Sequence, residues 1–182
     1  YASIDDYAEA KARIFDGAGV QVLNRDDERS LAMAREGARM TFGLDAPRVA
    51  WDFGVANGFL VHGNARIVRT DELQIRGAHN AANALAASAL AVSMGLPLAG
   101  IAEGLRTYKG LPHRVALVAT RNGVDWYDDS KGTNVGATIA ALRGLGRKAV
   151  LILGGEGKGQ DFSPLGPVVA QFASHVLVIW RV

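Results

Sequence analysis

Cysteine is absent from the 182 residues, so no disulfide framework can hold this chain. No hydrophobic run is long enough to cross a membrane, no signal peptide opens the sequence, and no internal repeat or low-complexity segment occurs. Charge of one sign is scarce as well. Lys and Arg number 20 against 18 Asp and Glu, and a net charge of +2 gives no case for nucleic acid or a membrane surface. The P-loop signature is also missing. In the glycine-rich stretch 154–161, Ile152 stands where Gly-x-x-x-x-Gly-Lys needs its first glycine, and Gly159 replaces the magnesium-binding Ser or Thr. What remains is an ordinary globular composition, 49% hydrophobic, sized for one large domain or parts of two. The chain opens on Tyr1 and ends at Val182 directly after a strand-like run, and it reads as an internal fragment of a longer protein.

The most informative stretch is 110–134. Residues 115–119 and 124–127 are rich in β-branched and aromatic side chains, and Asn122-Gly123 between them predicts a hairpin. Asp128-Asp129-Ser130-Lys131-Gly132-Thr133 follows, and Thr133 or Asn134 then caps a helix whose apolar face is Val135, Thr138, Ile139 and Leu142. Polar groups gathered where a strand enters a helix N-terminus are placed to hold phosphate and metal. A well-capped polar loop without a ligand is the alternative reading.

Upstream, Ser3 and Asp6 form a capping-box pattern for a first helix ending at Gly17, with Ile4, Tyr7, Ala8, Ile14 and Phe15 at helical spacing. Lys11 sits in the middle of that face. Either it snorkels out along its stem, or its amine is held near the interior, where burial favours the neutral form. Residues 20–23 read as a buried strand with a polar exit at Asn24-Arg25-Asp26-Asp27, a solvated turn or a ligand-facing one. Strands are expected at 49–53, 59–61, 65–68 and 72–75, forming an antiparallel meander inserted on an α/β core, with His62 a turn residue. A helix from His79 to Met94 is stopped by Gly95 and Pro97, and another spans 98–106. His79, Asn80 and Asn83 share the first turn of the former, as caps or as ligands. Residues 110–112 are the best linker. Residues 149–153 form a continuous apolar strand of the kind buried in a parallel sheet, 165–172 a helix, and 175–180 a further parallel strand. Strand–helix–strand order puts the loops 128–133 and 154–161 at strand carboxyl ends, one strand apart in sequence, so Lys131 and Lys158 could face one crevice.

Leu111-Pro112-His113-Arg114 followed by Asp129-Ser130-Lys131-Gly132-Thr133-Asn134 closely resembles the Mur ligases of peptidoglycan synthesis. Two further pieces match in the family's order: His79-Asn80-Ala81-Ala82-Asn83 and Leu153-Gly154-Gly155-Glu156-Gly157-Lys158-Gly159-Gln160-Asp161-Phe162. The resemblance covers essentially the whole chain. Ser130-Lys131 points to the branch that joins D-glutamate to UDP-N-acetylmuramoyl-L-alanine; a related Mur ligase or a folylpolyglutamate synthase is the alternative, and a non-catalytic nucleotide-sugar-binding module a second.

The resemblance implies an α/β fold in which residues 1–110 end a central ATP-binding domain with its antiparallel meander. Residues 111–182 would begin a doubly wound, Rossmann-like amino-acid-binding domain. It implies a cytoplasmic, monomeric parent using ATP and magnesium, with an acyl-phosphate intermediate. Carried over residue by residue, Asn80 and Asn83 lie at the nucleotide, Arg114 at its γ-phosphate and Asp129 at its ribose. Lys131 lies at the transferred phosphoryl group and His113 at the reacting groups. Thr133 and Lys158 hold D-glutamate carboxylates, and Lys11, as a carbamate, supports a magnesium ion. The family's phosphate-binding loop and a magnesium-holding glutamate and histidine would lie before Tyr1, and part of the D-glutamate site after Val182, so no catalysis is expected of the fragment alone.

Overall fold

Strands and helices alternate along the whole chain. The computed structural model describes residue 1 and residues 3–17, 19–75 and 77–179. They fold as two compact units, one of Tyr1–Gln74 and Asn80–Tyr108, the other of Ile75–His79 and Lys109–Val182. No helix among the described residues is long and apolar enough to cross a membrane.

The first unit is built on a five-stranded mixed sheet in the order β1 (Gln21–Asn24), β2 (Arg39–Phe42), β3 (Phe53–Ala56), β4 (Phe59–His62), β5 (Ala65–Arg69). β1–β2 and β2–β3 pair parallel, and β3–β4–β5 form the antiparallel meander. The meander is therefore continuous with the parallel strands through Phe42 and Phe53, rather than an insertion beside them. Residues 49–52 turn instead of pairing, and of the strand expected at 72–75, Glu72 ends a 3-10 turn (Thr70–Glu72) and residues 73–75 form no strand. α3 (Ala78–Ser93) and α4 (Leu98–Thr107) lay Leu85, Ala89, Ile101 and Ala102 against Phe53, Leu60 and Val68 of the sheet. Burying each large apolar side chain there contributes about 1.5–3 kcal/mol.

Three more expectations of the first unit are corrected. α1 (Ile4–Ala12) is capped by Ser3, whose hydroxyl accepts from the Asp6 amide at 3.0 Å. It tightens into a 3-10 turn at Arg13–Phe15, well before Gly17. That turn throws Ile14 off the helical phase, and Ile14 stays 81% exposed. The residues that pack are the small Ala8 and Ala12, one turn apart, so the face holding Ile4, Tyr7 and Lys11 looks outward. The exit of β1 is the second case. Asp26 and Asp27 are solvated, and Asp27 caps α2 (Glu28–Ala32). Arg25, however, is only 8% exposed. Its guanidinium donates to Asp45 Oδ1 and the Phe53 carbonyl, both at 2.6 Å, so this turn residue is a buried structural cation rather than a solvated one. His62, the expected turn residue, ends β4 and stacks on Phe53 with ring centroids 4.3 Å apart.

The second unit begins with the hairpin of β6 (Ala116–Arg121) and β7 (Val124–Asp128), turned at Asn122 (φ 51°) and Gly123 (φ 76°). Two positive φ values at the turn are the type I′ geometry that Asn-Gly favours. α5 (Val135–Leu145) follows, its N-terminus capped by Asn134 through a 2.8 Å bond from the Ala137 amide. β8 (Ala149–Gly154) pairs parallel with β9 (Ala173–Ile179), and α6 (Leu165–Phe172) crosses between them. Trp180, the expected last residue of that strand, lies outside the described residues. Leu142, Leu165 and Val168 pack on Ala149, Leu151 and Leu153, one face of β8. Val150 and Ile152 on the other face are 56% and 53% exposed, so this apolar run is covered on one side and not on both.

Candidate active site

Antiparallel pairing explains why residues fifteen apart in sequence meet. Ala116 at the start of β6 lies opposite Asp128 at the end of β7. The segment entering the hairpin, 111–115, therefore runs beside the segment leaving it, 128–133. Three bonds stitch them together. His113 Nδ1 lies 2.6 Å from Asp128 Oδ2, the Val115 amide donates to Asp129 Oδ1 at 3.1 Å, and the Lys131 amide donates to the His113 carbonyl at 3.0 Å. His113 (φ 66°) and Val115 (φ 46°) are held in the left-handed region, where a side chain with a Cβ costs about 1–2 kcal/mol. The bonds across the hairpin mouth hold that conformation in place.

The two adjacent carboxylates are pushed in opposite directions. Asp128 accepts from the Ser130 amide at 3.0 Å and faces His113, which together hold its pKa down at about 2. Burial drives Asp129 the other way, against its bond from the Val115 amide; the Asp128 charge adds to the rise, while His79 and Arg114 oppose it. Neighbouring titratable groups driven apart in this manner mark functional sites. An ionised Asp128 can only accept, so His113 Nδ1 carries the shared proton. Gly132 is required beside Asp129, because a Cβ there would lie 2.7 Å from Asp129 Oδ2.

His79 also joins this unit. A Cβ on Gly144 of α5 would meet the His79 Cε1 atom at 2.5 Å, so glycine makes room for the ring. Burial lowers the His79 pKa, and the nearby Asp129 opposes that shift.

The glycine-rich loop is tied to the same place. Gln160 Oε1 accepts from the Val135 amide at 3.1 Å, and Gln160 Nε2 lies 3.4 Å from both the Thr133 and Gly157 carbonyls. The loops 128–133 and 154–161 are thus in contact. Among the described residues, the Arg114, Lys131 and Lys158 side chains form no hydrogen bond or ion pair, and all three are exposed. Exposed cations beside the N-terminus of an eleven-residue helix suit an anionic ligand.

Of the residues singled out in the sequence, the second unit gathers His113, Arg114, Asp129, Lys131, Thr133 and Lys158 on three linked segments, 111–115, 128–133 and 154–161. Asn80 and Asn83 belong to the first unit, on the first turns of α3, with Asn83 Nδ2 3.4 Å from Asn80 Oδ1. Lys11 is on α1 of that unit, exposed, its amine 5.3 Å from the Tyr7 ring centre. Interior placement of its amine, the premise drawn from its apolar neighbours, is not what the structure has. Sequence reasoning passed over Asp128, Gln160 and the seat of His79. The hairpin register could have signalled Asp128, and nothing local marks the other two.

A mixed sheet carrying helices, followed by a strand–helix–strand unit with polar loops at its strand ends, defines an α/β protein. The profile of the Mur ligase middle domain matches residues 1–91, and the chain belongs to the Mur ligase family. The UDP-N-acetylmuramoylalanine--D-glutamate ligase of Methylobacillus flagellatus is 55% identical over 186 residues, spanning all of this chain and 41% of the relative. That of Thiobacillus denitrificans is 55% identical over 183 residues, spanning all of this chain and 39% of the relative. The chain thus covers about two-fifths of these relatives' length. Among solved structures, MurF from Acinetobacter baumannii superposes with a TM-score of 0.78 at 22% identity over the whole chain and 44% of its own. The UDP-N-acetylmuramate-alanine ligase of Thermotoga maritima gives 0.70 at 19% identity, over the whole chain and 42% of its own. At those identities the likeness is one of fold.

Proposed function

We propose that the full-length protein containing this chain ligates D-glutamate to UDP-N-acetylmuramoyl-L-alanine at the expense of ATP, in cytoplasmic peptidoglycan precursor synthesis. The observation that supports this most is the contact of two polar loops that leaves Arg114, Lys131 and Lys158 uncommitted, in a chain 55% identical to D-glutamate ligases. In the reaction, a substrate carboxylate oxygen attacks the terminal phosphorus of ATP and ADP leaves. The amine of D-glutamate adds to the acyl carbon and loses a proton, and phosphate departs with the former carboxylate oxygen. Charge accumulates on phosphoryl oxygens throughout, so cations and positioning matter more than a covalent nucleophile.

In this reading Arg114 grips the γ-phosphate with its fork of donors, and Lys131 follows the phosphoryl group in transfer. Asp129 accepts from the ribose hydroxyls. His113, oriented by Asp128, presents Nε2 to the reacting groups. Thr133 and Lys158 hold the D-glutamate carboxylates. The Asn80 and Asn83 amides, able both to donate and to accept, suit the adenine edge.

Magnesium stands differently. Among the described residues no three His, Cys, Asp or Glu cluster to hold a metal ion, so these residues do not make a magnesium site by themselves, and no step here is routed through one. Lys11 as a carbamate would contribute one anionic oxygen to such a site, its exposed amine being open to carbon dioxide.

The test is phosphate release by the full-length protein from ATP and UDP-N-acetylmuramoyl-L-alanine across a panel of amino acids. D-glutamate should support turnover and L-alanine, diaminopimelate and L-lysine should not. Turnover with one of those instead would reassign the protein within its family, and turnover with none would remove the ligase reading.

A further inference from the structure

We infer that Gln160 is a positioning residue for the amino-acid substrate, clamping the glycine-rich loop to the start of α5 so that Lys158 and Thr133 are presented together. The inference rests on the reading of those two residues as carboxylate binders. Lys158 (φ 50°) and Gly159 (φ 68°) are consecutive left-handed residues, closed by the Gln160 amide donating to the Gly157 carbonyl at 3.0 Å. This is a type I′ turn with lysine at the position that glycine, asparagine or aspartate normally takes. Lysine resists that conformation by about 1–2 kcal/mol, so the turn needs support from outside.

The Gln160 carboxamide supplies it from both ends. Oε1 takes the Val135 amide, one of the first-turn donors of α5 that the helix itself leaves unpaired. Nε2 reaches the Thr133 carbonyl in one loop and the Gly157 carbonyl in the other. Only a group that donates and accepts at once can make this bridge, and an amide of this length does so. Thr133 lies on the backbone that Gln160 grips, and Lys158 at the tip of the turn that Gln160 closes.

The arrangement predicts how substitutions separate. Glutamate at 160 keeps the acceptor, and its charge suits a helix N-terminus, so helix capping survives. It loses the donor, so the clamp does not. Methionine is neutral, similar in length, and loses all three contacts. In the full-length protein, Gln160→Glu and Gln160→Met should each raise KM for D-glutamate about tenfold, the scale of one hydrogen bond. The kcat and the KM for ATP should change by less than the KM for D-glutamate, since none of the three contacts is made to Arg114 or Lys131. Gln160→Glu should melt with the wild type. Lys158→Ala, measured alongside, tests the reading beneath the proposal. If Lys158→Ala raises KM for D-glutamate while Gln160→Met leaves it unchanged, Gln160 is not a positioning residue. A Gln160→Met variant that loses kcat and all substrate affinities together has only a structural role. If Lys158→Ala leaves KM for D-glutamate unchanged, the loop does not bind the amino acid, and the proposal falls with that reading.

Discussion

Asp128 and Asp129 are adjacent in the chain, yet folding treats them as opposites. Asp128 is stabilised as an anion by an amide and an imidazole; its contribution to stability is present above the ordinary carboxylate range and disappears as pH falls through that range toward about 2. Asp129 is raised by burial, so the folded state binds its proton more firmly than the unfolded chain does. Ionising it as pH rises therefore removes stability, and at neutral pH the protein holds this carboxylate at a cost. Asparagine at 129 keeps the acceptor for the Val115 amide without the charge. Asp129→Asn should melt above the wild type near neutral pH and lose that advantage below about pH 4, where the wild-type group is protonated in both states. A lower melting temperature at neutral pH would show that attraction to His79 and Arg114 outweighs burial. Ligase activity should fall in the same variant, the trade expected where a strained group serves function. Arg114→Lys should also weaken the reaction, by about 1.5–3 kcal/mol in kcat/KM, because an ammonium cannot make two parallel bonds to one phosphoryl group. Wild-type kcat/KM in that variant would make Arg114 an ordinary surface residue.

At the scale of elements, Gly144 sets two effects against each other. Helix propensity favours alanine over glycine in the last turn of α5, by at most about 1 kcal/mol. Here its methyl would fall 2.5 Å from the His79 ring, which has to move. We expect Gly144→Ala to expel the imidazole, so that its proton affinity, depressed by burial, returns toward the ordinary histidine value. A resonance titration of His79 reads this directly, and an unchanged curve would mean that the ring does not sit against α5. Much of the second unit was legible because its signals are local: Asn122-Gly123 for the hairpin, Asn134 for the cap of α5, and apolar runs for β8 and α6. In the first unit, α2 and β2 are too short for any period to show, and β2 pairs with β3 at Phe42 alone. The outward turn of the Lys11 face and the burial of Arg25 depend on what packs nearby, which no local pattern states. The facing of 111–115 and 128–133 follows from the hairpin, but not which atoms bond across it. Gln160 was invisible for the same reason, since its partners lie 25 and 27 residues away.

For the molecule as a whole, the account joins two units, a family and a reaction. The Mur ligase middle-domain match, residues 1–91, lies in the first unit except for Ile75–His79. The second carries the stitched loops and their uncommitted cations. The reaction proposed for the full-length protein moves one oxygen from the substrate carboxylate to the released phosphate, as any ligation through an acyl phosphate does and hydrolysis of ATP by water does not. The most direct measurement labels the carboxylate of UDP-N-acetylmuramoyl-L-alanine with heavy oxygen and follows turnover of the full-length protein with ATP and D-glutamate by mass spectrometry. The account predicts one heavy oxygen in each phosphate released and a product heavier by one D-glutamate residue. Phosphate without the label would contradict it, because the acyl phosphate would then not lie on the path.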